Sequence, residues 1–424
     1  MIYQGEKGAQ TVLENLRRRA EGDMAEVEAS VQSILADVKQ NGDRALAEYA
    51  KKFDGTDYEK TPLIVTEQEI DKAYEKVDEK TIRALRLCAQ NVKKYHEKQI
   101  ESGYKIEEPG RCLEQIVLPL DCVGLYAPGG TAAYPSSVIM NAVPAKLAGV
   151  KKLCLATPAK HGELPPLTLV AARESGVDVI FRMGGAQAIA AFAFGTETVP
   201  QVNKITGPGN SYVALAKKAV VGTVGIDSIA GPSEVLIIAD EKANPVFVAA
   251  DMLAQAEHDE HAAALCVTTS LALAEQIKAQ VDSQCAKLPR NKTARASIDN
   301  YGAVVVLETM EDCVAFANDV APEHLEILTE TPRALLPEIR HAGGVFLGAY
   351  APESLGDYLA GTNHVLPTGG TAKYASPLGV YDFCRRMSVL EYDKPQLKAV
   401  VDDIAQLAYT EGLQAHAQSA LIRF

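Results

Sequence analysis

The spacing of apolar residues predicts three regions with different structures. Residues 24–53 and 67–100 repeat apolar side chains at helical spacing, so an α-rich opening follows a polar lead of residues 1–22. From Val117 to about residue 350, short β-branched segments alternate with helical ones. The predicted strands are Val123–Tyr126, Leu153–Ala156, Val177–Phe181, Val202–Ile205, Val235–Ala239, Ala264–Thr268, Val304–Leu307 and Leu325–Leu328.

This alternation predicts an α/β architecture in which helices cover parallel sheets. The strands are too many for one comfortable open sheet, so we expect two such domains. Residues 365–385 are rich in Pro, Gly, Thr and Ser and are predicted to form a linker or long loop. The tail is predicted to be helical again, because apolar residues from Leu397 to Ala408 form a stripe.

Glycine-rich turns interrupt the α/β region at four places. Ligands of such folds lie beyond the carboxyl ends of the strands, and we expect the four turns to mark those ends. Glycines let backbone N–H groups approach a phosphate, and a following helix N-terminus favours its charge. A single turn of this kind is more often a tight connection, but four favour a nucleotide or phosphorylated ligand. The turns are Tyr126-Ala-Pro-Gly-Gly130, Gly184-Gly-Ala-Gln187, Gly207-Pro-Gly-Asn210 and Gly231-Pro-Ser-Glu234.

The usual nucleotide fingerprints are missing from the sequence. Neither Gly-x-Gly-x-x-Gly nor Gly-x-x-x-x-Gly-Lys-Ser/Thr occurs in the chain. The spacing of glycines therefore allows NAD as a ligand without showing it.

A predicted helix from Pro245 to His258 carries the first candidate for metal chemistry. Gln255 and His258 are three residues apart and share one helix face. An amide oxygen and a neutral imidazole can form two corners of a divalent-metal site. The same spacing also occurs in ordinary surface or capping pairs, so the metal interpretation depends on the residues that follow.

Those later candidates combine carboxylates with imidazoles. Glu323 and His324 are adjacent after a proline, and such a pair can divide general-base work because His titrates near neutrality and Glu can activate water. A loop pair without a role is the alternative. Asp357, His364 and His416 add one carboxylate and two imidazoles, although each alone also suits a surface position.

Composition and charge narrow the classes of partner. The chain has 424 residues, of which 47% are hydrophobic and 23% charged, so it is long enough for a large core. A net charge of −13 argues against a nucleic-acid or anionic-membrane partner and fits a protein that acts on small molecules.

The compartment is predicted from apolar segments and cysteines. The N-terminus lacks an apolar signal core and no apolar segment is long enough to cross a bilayer, so we expect a cytoplasmic protein. The 8 cysteines have no Cys-x-x-Cys spacing, which indicates free thiols in a reducing compartment.

Taken together, the motifs resemble the histidinol dehydrogenase family, the zinc- and NAD-dependent enzymes that complete histidine biosynthesis. They occur in order over most of the chain. They are Tyr-Ala-Pro-Gly-Gly at 126–130, Gly-Gly-Ala-Gln-Ala-Ile at 184–189, Ile-Thr-Gly-Pro-Gly-Asn at 205–210, Ala-Gly-Pro-Ser-Glu at 230–234, Gln-Ala-Glu-His at 255–258, Ala-Pro-Glu-His-Leu at 321–325, Gly-Asp-Tyr at 356–358, Gly-Thr-Asn-His at 361–364 and Glu-Gly-Leu-x-Ala-His at 411–416.

The resemblance implies oxidation of L-histidinol to L-histidine through a bound aldehyde. His324 would take the hydroxyl proton as hydride leaves to NAD⁺, and Glu323 would activate the water that adds to the aldehyde. A second hydride transfer would give the acid. One Zn²⁺ per subunit would orient the substrate, held by Gln255, His258, Asp357 and His416.

The resemblance also implies ligand contacts and an assembly. NAD would contact Tyr126, Gln187 and Asn210. The family forms homodimers in which the C-terminal arm crosses over, so Glu411 and His416 would complete the partner's site. The substrate would contact Ser233, Gln255, His258, His324, Asp357, His364, Glu411 and His416.

On this basis the chain is expected to form two incomplete Rossmann-like domains with a helical N-terminal segment and a helical C-terminal arm. The first domain would combine residues 23–120 with 236–372 and carry the zinc and catalytic residues. The second would be 121–235, on the NAD side. Residues 1–22 would be an N-terminal segment and 373–424 a dimerisation arm.

Two other classes of function remain alternatives, a zinc hydrolase that uses Glu323 with metal-bound water and a non-catalytic binding module. Within the same class, the chain could be a zinc-dependent NAD dehydrogenase for a different amino alcohol. A hydrolase would not need four glycine-rich turns, and a non-catalytic binding module would not need Glu323 and His324. His261 adds an imidazole three residues after His258, and we interpret it as a bystander.

Overall fold

The strands and helices of the computed structural model follow the predicted alternation. The structure describes residues 1–20, 25–129, 134–229 and 231–424. Gly130 and Ala230 of the glycine-rich motifs lie outside this part of the chain. The strands are β1 (Ile2–Gln4), β2 (Tyr104–Glu108), β3 (Arg111–Pro119), β4 (Cys122–Tyr126), β5 (Lys152–Thr157), β6 (Val179–Arg182), β7 (Lys204–Thr206), β8 (Gly225–Ile226), β9 (Glu234–Ala239), β10 (Ala263–Thr268), β11 (Ala303–Val306), β12 (His324–Leu328), β13 (Gly344–Leu347) and β14 (Cys384–Tyr392).

The helices occupy the predicted intervals between strands. They are α1 (Gly5–Ala20), α2 (Ala25–Tyr49), α3 (Glu67–Lys76), α4 (Glu79–His96), α5 (Pro135–Ala148), α6 (Pro166–Glu174), α7 (Gly185–Phe194), α8 (Ser211–Ala219), α9 (Pro245–Ala256), α10 (Leu271–Cys285), α11 (Asn291–Tyr301), α12 (Met310–Val320), α13 (Pro332–Leu335), α14 (Glu353–Tyr358), α15 (Lys394–Thr410) and α16 (Gln414–Leu421). None of the described helices is both long enough and apolar enough to cross a membrane.

Two parallel sheets form the centre of the protein, as predicted. One has the strand order β1-β11-β10-β9-β12-β13 and the other β6-β5-β4-β7-β8. Strands β9 and β10 are buried along their whole length, because helices cover both faces of the first sheet. All eight strands predicted from the sequence are present, with ends displaced by one or two residues.

A third, antiparallel sheet is not predicted by the hydrophobic pattern of the sequence. It has the order β14-β3-β2, and Cys384 pairs with Pro119 at one end of the long β14–β3 ladder. Every residue of β2 is exposed and most of β14 is exposed. These strands therefore lack the alternation of buried and exposed residues from which a strand is usually predicted.

The N-terminal segment forms a strand and a helix where the sequence had suggested a polar lead. Strand β1 extends the first sheet by pairing in parallel with β11, and helix α1 packs its buried Ala9 and Val12 on the same sheet. A strand of three residues is too short to give a periodic signal, which is why the sequence did not reveal it.

The helices after residue 25 pack on the second sheet. α2 contacts α7 and α8, and α4 contacts α5. These contacts group residues 25–96 with the second sheet, whereas the sequence-based division placed 23–120 with the first sheet. The boundaries of the domains remain a prediction.

Gly207 shows how tightly the carboxyl edge of the second sheet is packed. Its φ of +117° lies in the region that glycine favours, and a Cβ there would lie 2.1 Å from the carbonyl oxygen of Tyr126. The backbone N–H of Gly207 donates to Asp227 at 2.7 Å, and the buried Lys217 ammonium donates to its carbonyl at 3.0 Å. The turn after β7 is thus fixed by sterics and by two buried charges.

We predict that Gly207→Ala is far more destabilising than Gly222→Ala. Gly222 also has a positive φ, of +95°, but a Cβ there meets nothing within 4 Å. The left-handed backbone costs an alanine about 1–2 kcal/mol at either position, and the clash with Tyr126 adds roughly 1–3 kcal/mol at Gly207. Urea unfolding measures both changes. Equal losses of unfolding free energy would contradict the proposed steric role.

Candidate functional site

The candidate residues gather at the amino edge of the first sheet. His324 is the first residue of β12 and Glu234 the first residue of β9, and the parallel register places His324 opposite Val235. Helix α9 runs back to this same edge, where it delivers the buried Gln255 and, just past its end, His258.

This location corrects one expectation. The turns at 126–129, 184–187 and 207–210 do follow strands β4, β6 and β7 of the second sheet. Residues 231–234 instead lead into β9, so this turn is at an amino end. In the first sheet the candidate residues lie on segments that lead into strands, whereas the usual rule places ligands beside the segments that follow strands.

The imidazole of His324 has one engaged nitrogen and one free one. Its Nδ1 lies 3.2 Å from the carbonyl oxygen of Glu234 and 3.2 Å from Oε1 of Gln255. Both partners are acceptors, so Nδ1 carries a proton and donates it. Nε2 is buried without a hydrogen-bond partner among the described residues. It is therefore the nitrogen available to a ligand.

Three carboxylates surround this imidazole. Nδ1 is 3.8 Å from Glu353 and 4.0 Å from Glu323, and Nε2 is 3.7 Å from Oδ1 of Asp357. Burial alone would lower the pKa of His324, but Glu353, Glu323 and Asp357 outweigh it and raise this pKa to about 10. Without a further cation, the imidazole is held in its charged form.

Burial acts in the opposite direction on the acids. It raises the pKa of Glu353 to about 8, although the charge of His324 opposes the rise, and it also raises the pKa of Glu323. Burial would raise the pKa of Asp357 too, but the neighbouring imidazolium of His324 holds it below its ordinary value. The site thus places three acids beside one imidazolium, and burial opposes the ionisation of two of these acids.

A possible metal-binding group lies at the centre of this charge. One ligand atom each of His258, Glu353 and Asp357 lies within 4.8 Å of the others. His258 is exposed in the single chain, but partial burial still lowers its pKa and favours the neutral, ligating form. One nitrogen and two carboxylate oxygens suit a divalent cation such as zinc, so the donors present fit the predicted metal.

Glu326, which lies beside Asp251, helps to hold helix α14 in place. Oε1 of Glu326 accepts a hydrogen bond at 2.8 Å from the backbone N–H of Glu353, at the start of that helix. Burial and the neighbouring Asp251 raise the pKa of Glu326 to about 9. His324 and Glu326 are two apart on β12 and share one face of the strand. The strand therefore positions both the imidazole and the helix that bears Glu353 and Asp357.

The loop after α14 connects the site to the second sheet. The side chain of Asn363 donates to the carbonyl of Met140 in α5 at 2.8 Å, and Asn91 in α4 donates to the carbonyl of Leu359 at 2.7 Å. This anchorage places His364 beside the site, where burial lowers its pKa and leaves its Nε2 without a partner in the described structure.

The other predicted contact residues fall into two places. Ser233 immediately precedes Glu234, whose N–H donates to Glu323, and so belongs to the amino edge of the first sheet. Tyr126, Gln187 and Asn210 lie at the carboxyl edge of the second. The hydroxyl of Tyr126 accepts from Gly185 N at 3.0 Å, Gln187 is buried, and Asn210 caps α8 by accepting from Val213 N at 3.2 Å. Their contact with NAD remains a prediction.

Glu411 and His416 are not joined to this group within one chain. Both are exposed, on the segment that leads from α15 into α16. Within the residues that the structure describes, the metal-binding group does not include His416. Their participation remains a prediction that requires a second chain.

Sequence analysis missed Glu353. The signal was present, since Glu353 and Asp357 are four residues apart and therefore share one face of a helix. A carboxylate pair at this spacing, beside the other candidates, could have been proposed as part of the site.

Comparison with known proteins assigns the family. The family model for histidinol dehydrogenase matches residues 17–424. Histidinol dehydrogenase from Geobacter sulfurreducens is 51% identical over 407 residues, covering 96% of this chain and 95% of that protein. The Bacillus subtilis enzyme is 50% identical, with coverage of 96% and 95%.

A solved structure agrees with these sequences. The crystal structure of histidinol dehydrogenase from Elizabethkingia anophelis has a TM-score of 0.93 at 37% identity, covering 100% of this chain and 97% of that one. The chain belongs to the histidinol dehydrogenase family. The resemblance seen in its motifs is confirmed, and the protein is an oxidoreductase.

We predict that His258→Ala lowers metal content, whereas His261→Asn does not. The ring of His261 is exposed and paired with Asp259 at 2.9 Å, outside the group of His258, Glu353 and Asp357. Metal analysis of both purified variants after dialysis against zinc measures the difference. Loss of metal from His261→Asn would show that the ligands are misassigned.

Proposed function

We propose that the protein is a zinc- and NAD-dependent histidinol dehydrogenase that oxidises L-histidinol to L-histidine in four electrons, with L-histidinaldehyde held in the site. The proposal rests on family membership and, above all, on one feature of the site. His324 lies within 4.0 Å of Glu323, Glu353 and Asp357, beside the imidazole of His258.

The metal would be held by His258 and Asp357 together with Gln255, whose buried amide oxygen already faces His324, and with His416 from a second chain. Glu353 lies close enough to His258 and Asp357 to add a further oxygen. When bound, the cation would orient the amino and imidazole nitrogens of the substrate and offset the surrounding carboxylates. Their combined charge is what raises the pKa of His324, so offsetting it lowers that pKa toward the range of a working base.

His324 is the proposed base for both oxidations. The Glu234 carbonyl keeps the proton on Nδ1, which leaves the lone pair of Nε2 for the substrate hydroxyl. In the first oxidation the O–H proton goes to Nε2 and the carbinol hydride leaves the substrate. NAD⁺, when bound, would be the hydride acceptor, once for each of the two oxidations.

Glu323 is the proposed base for the hydration between them. Its carboxylate is buried and held by the backbone N–H of Glu234 at 3.1 Å. It would take one proton from water as the oxygen adds to the aldehyde carbon. The resulting hydrate loses a proton and a second hydride and becomes the carboxylic acid. Burial protects the aldehyde from reactions outside the site.

The C-terminal arm supports the proposed homodimer. Helices α15 and α16 pack mainly on each other, and Leu390, Leu407 and Ile422 of the arm are strongly exposed. A second subunit would cover such exposed apolar side chains. Across such a dimer, Glu411 and His416 would reach the partner's site, where the single chain leaves the metal with few ligands.

We predict that His324→Ala lowers kcat for histidinol by at least about 100-fold, since a general base is lost, while zinc content stays near that of the unmodified protein. NADH formation and metal analysis measure the two quantities. His261→Asn is the matched control and keeps both. If the unmodified protein forms no NADH from histidinol, with or without zinc, the proposed function is wrong.

A mixed-dimer experiment tests the crossed arms. His258→Ala and His416→Ala are each expected to be inactive, because each lacks one metal ligand. Coexpressed as differently tagged chains, they form mixed dimers in which one of the two sites is intact, so the purified mixed dimer should recover roughly half of the activity of the unmodified dimer. Activity of the purified mixed dimer measures this restoration. No recovery would show that His416 acts within its own chain or not at all.

A further inference from the structure

Arg19 extends from the N-terminal helix into the edge of the first sheet that carries the site. It lies in the last turn of α1, and its side chain is 3% exposed. The guanidinium forms an ion pair with Glu234, whose side chain is also 3% exposed, and it donates to the backbone carbonyl of His261 at 3.1 Å. The ring of Tyr301 lies 5.7 Å beneath it. A basic side chain so enclosed has a fixed position.

The topology explains why an N-terminal residue reaches this place. Strand β1 is parallel to β11 at one edge of the sheet, so helix α1 returns toward the amino ends of the strands. Glu234 begins β9 at that same edge. The turn from α9 into β10, which bears His258 and His261, is there as well.

Glu234 is in turn the backbone support of both proposed bases. Its N–H donates to the carboxylate of Glu323 at 3.1 Å, and its carbonyl lies 3.2 Å from Nδ1 of His324. A displacement of this one residue would move Glu323 and change the tautomer-setting contact of His324. Its own side chain has Arg19 as its charged partner.

We propose that Arg19 is a positioning residue that couples the N-terminal helix to the active site. It fixes Glu234, and through the Glu234 backbone the two bases, and it also fixes the turn that presents His258 to the metal. The inference rests on the proposed roles of Glu323, His324 and His258. It assigns a function to an N-terminal segment whose role the sequence left open.

Substitutions of Arg19 are informative because each replacement removes a different property of its contacts with Glu234 and His261. Without Arg19, the Glu234 carboxylate would be buried with no charged partner, and the structure must then hydrate it, neutralise it or move it. A methionine fills much of the same volume without donating hydrogen bonds. A lysine keeps the charge but cannot donate to Glu234 and His261 with the same planar fork.

The test compares Arg19→Met with Arg18→Met, a neighbouring arginine that is 71% exposed. Each protein is titrated with zinc alone in competition with a chelator, and kcat and KM for histidinol are then measured on zinc-loaded protein. For Arg19→Met we expect zinc affinity and kcat each to fall about tenfold or more, as for other groups that support metal ligands, with little change in KM. Arg18→Met should match the unmodified protein.

Two further variants separate positioning from stability. Arg19→Lys should recover part of both losses. Because Arg19 and Glu234 act as one unit, adding Glu234→Gln to Arg19→Met should lower zinc affinity and kcat much less than Glu234→Gln does in the unmodified protein. A purely structural role would lower the melting temperature and the folded fraction, but leave zinc affinity and kcat per zinc-loaded site unchanged. This result in Arg19→Met would overturn the proposal. If Arg19→Met does not fold, the same result in both Arg19→Lys and Glu234→Gln would overturn it.

The zinc titration also keeps this inference separate from the proposed function. If the unmodified protein binds zinc but does not oxidise histidinol, the proposed function fails. The effect of Arg19 on zinc affinity is then still measured and still decides whether Arg19 positions the turn of His258.

Discussion

The parallel pairing of β9 with β12 is the constraint on which the site depends. This register brings Glu234 next to His324, although the two residues are 90 positions apart in the chain. Backbone groups of β9 then fix the proton on His324 and the orientation of Glu323. Because both strands are buried in the centre of a sheet covered on both faces, neither can shift without breaking the core.

Ionisable side chains are concentrated around the pairing of β9 with β12, an arrangement that apolar packing alone would not favour. Glu323, Glu353 and Asp357 approach one imidazole, and burial raises the pKa of two of these acids. Buried carboxylates of like charge are costly unless a cation offsets them. The same groups that make the site unfavourable by itself make it suitable for a divalent cation. Folding of the core, which is apolar, supplies the free energy that holds them together.

The two sheets contribute opposite edges. The first presents the amino ends of its strands, with acids and imidazoles, and the second presents the carboxyl ends, with glycine-rich turns and helix N-termini. The hydrogen bond from Asn363 to the carbonyl of Met140 joins the loop after α14 to helix α5, which packs on the second sheet. In the proposed function, the charged edge would hold the substrate and the turn-rich edge would hold the cofactor.

Local pattern was sufficient for eight strands of the two parallel sheets, and it named several residues that the structure brings together at the candidate site. β-branched segments predicted the eight strands, and the adjacency of Glu323 and His324 and the spacing of Gln255 and His258 were readable in the chain. These signals are local, since side-chain period follows directly from helix and strand geometry.

Only the tertiary structure decided which edge of the sheet carries the site and which distant residues join it. The amino-edge location of Glu234, the entry of Glu353 into the ligand group and the reach of Arg19 depend on strand order and register. Strand order is set by how the whole set of helices covers the sheet, so no short segment encodes it. The exposed antiparallel sheet escaped prediction for a related reason, because residues exposed on both faces leave no periodic pattern.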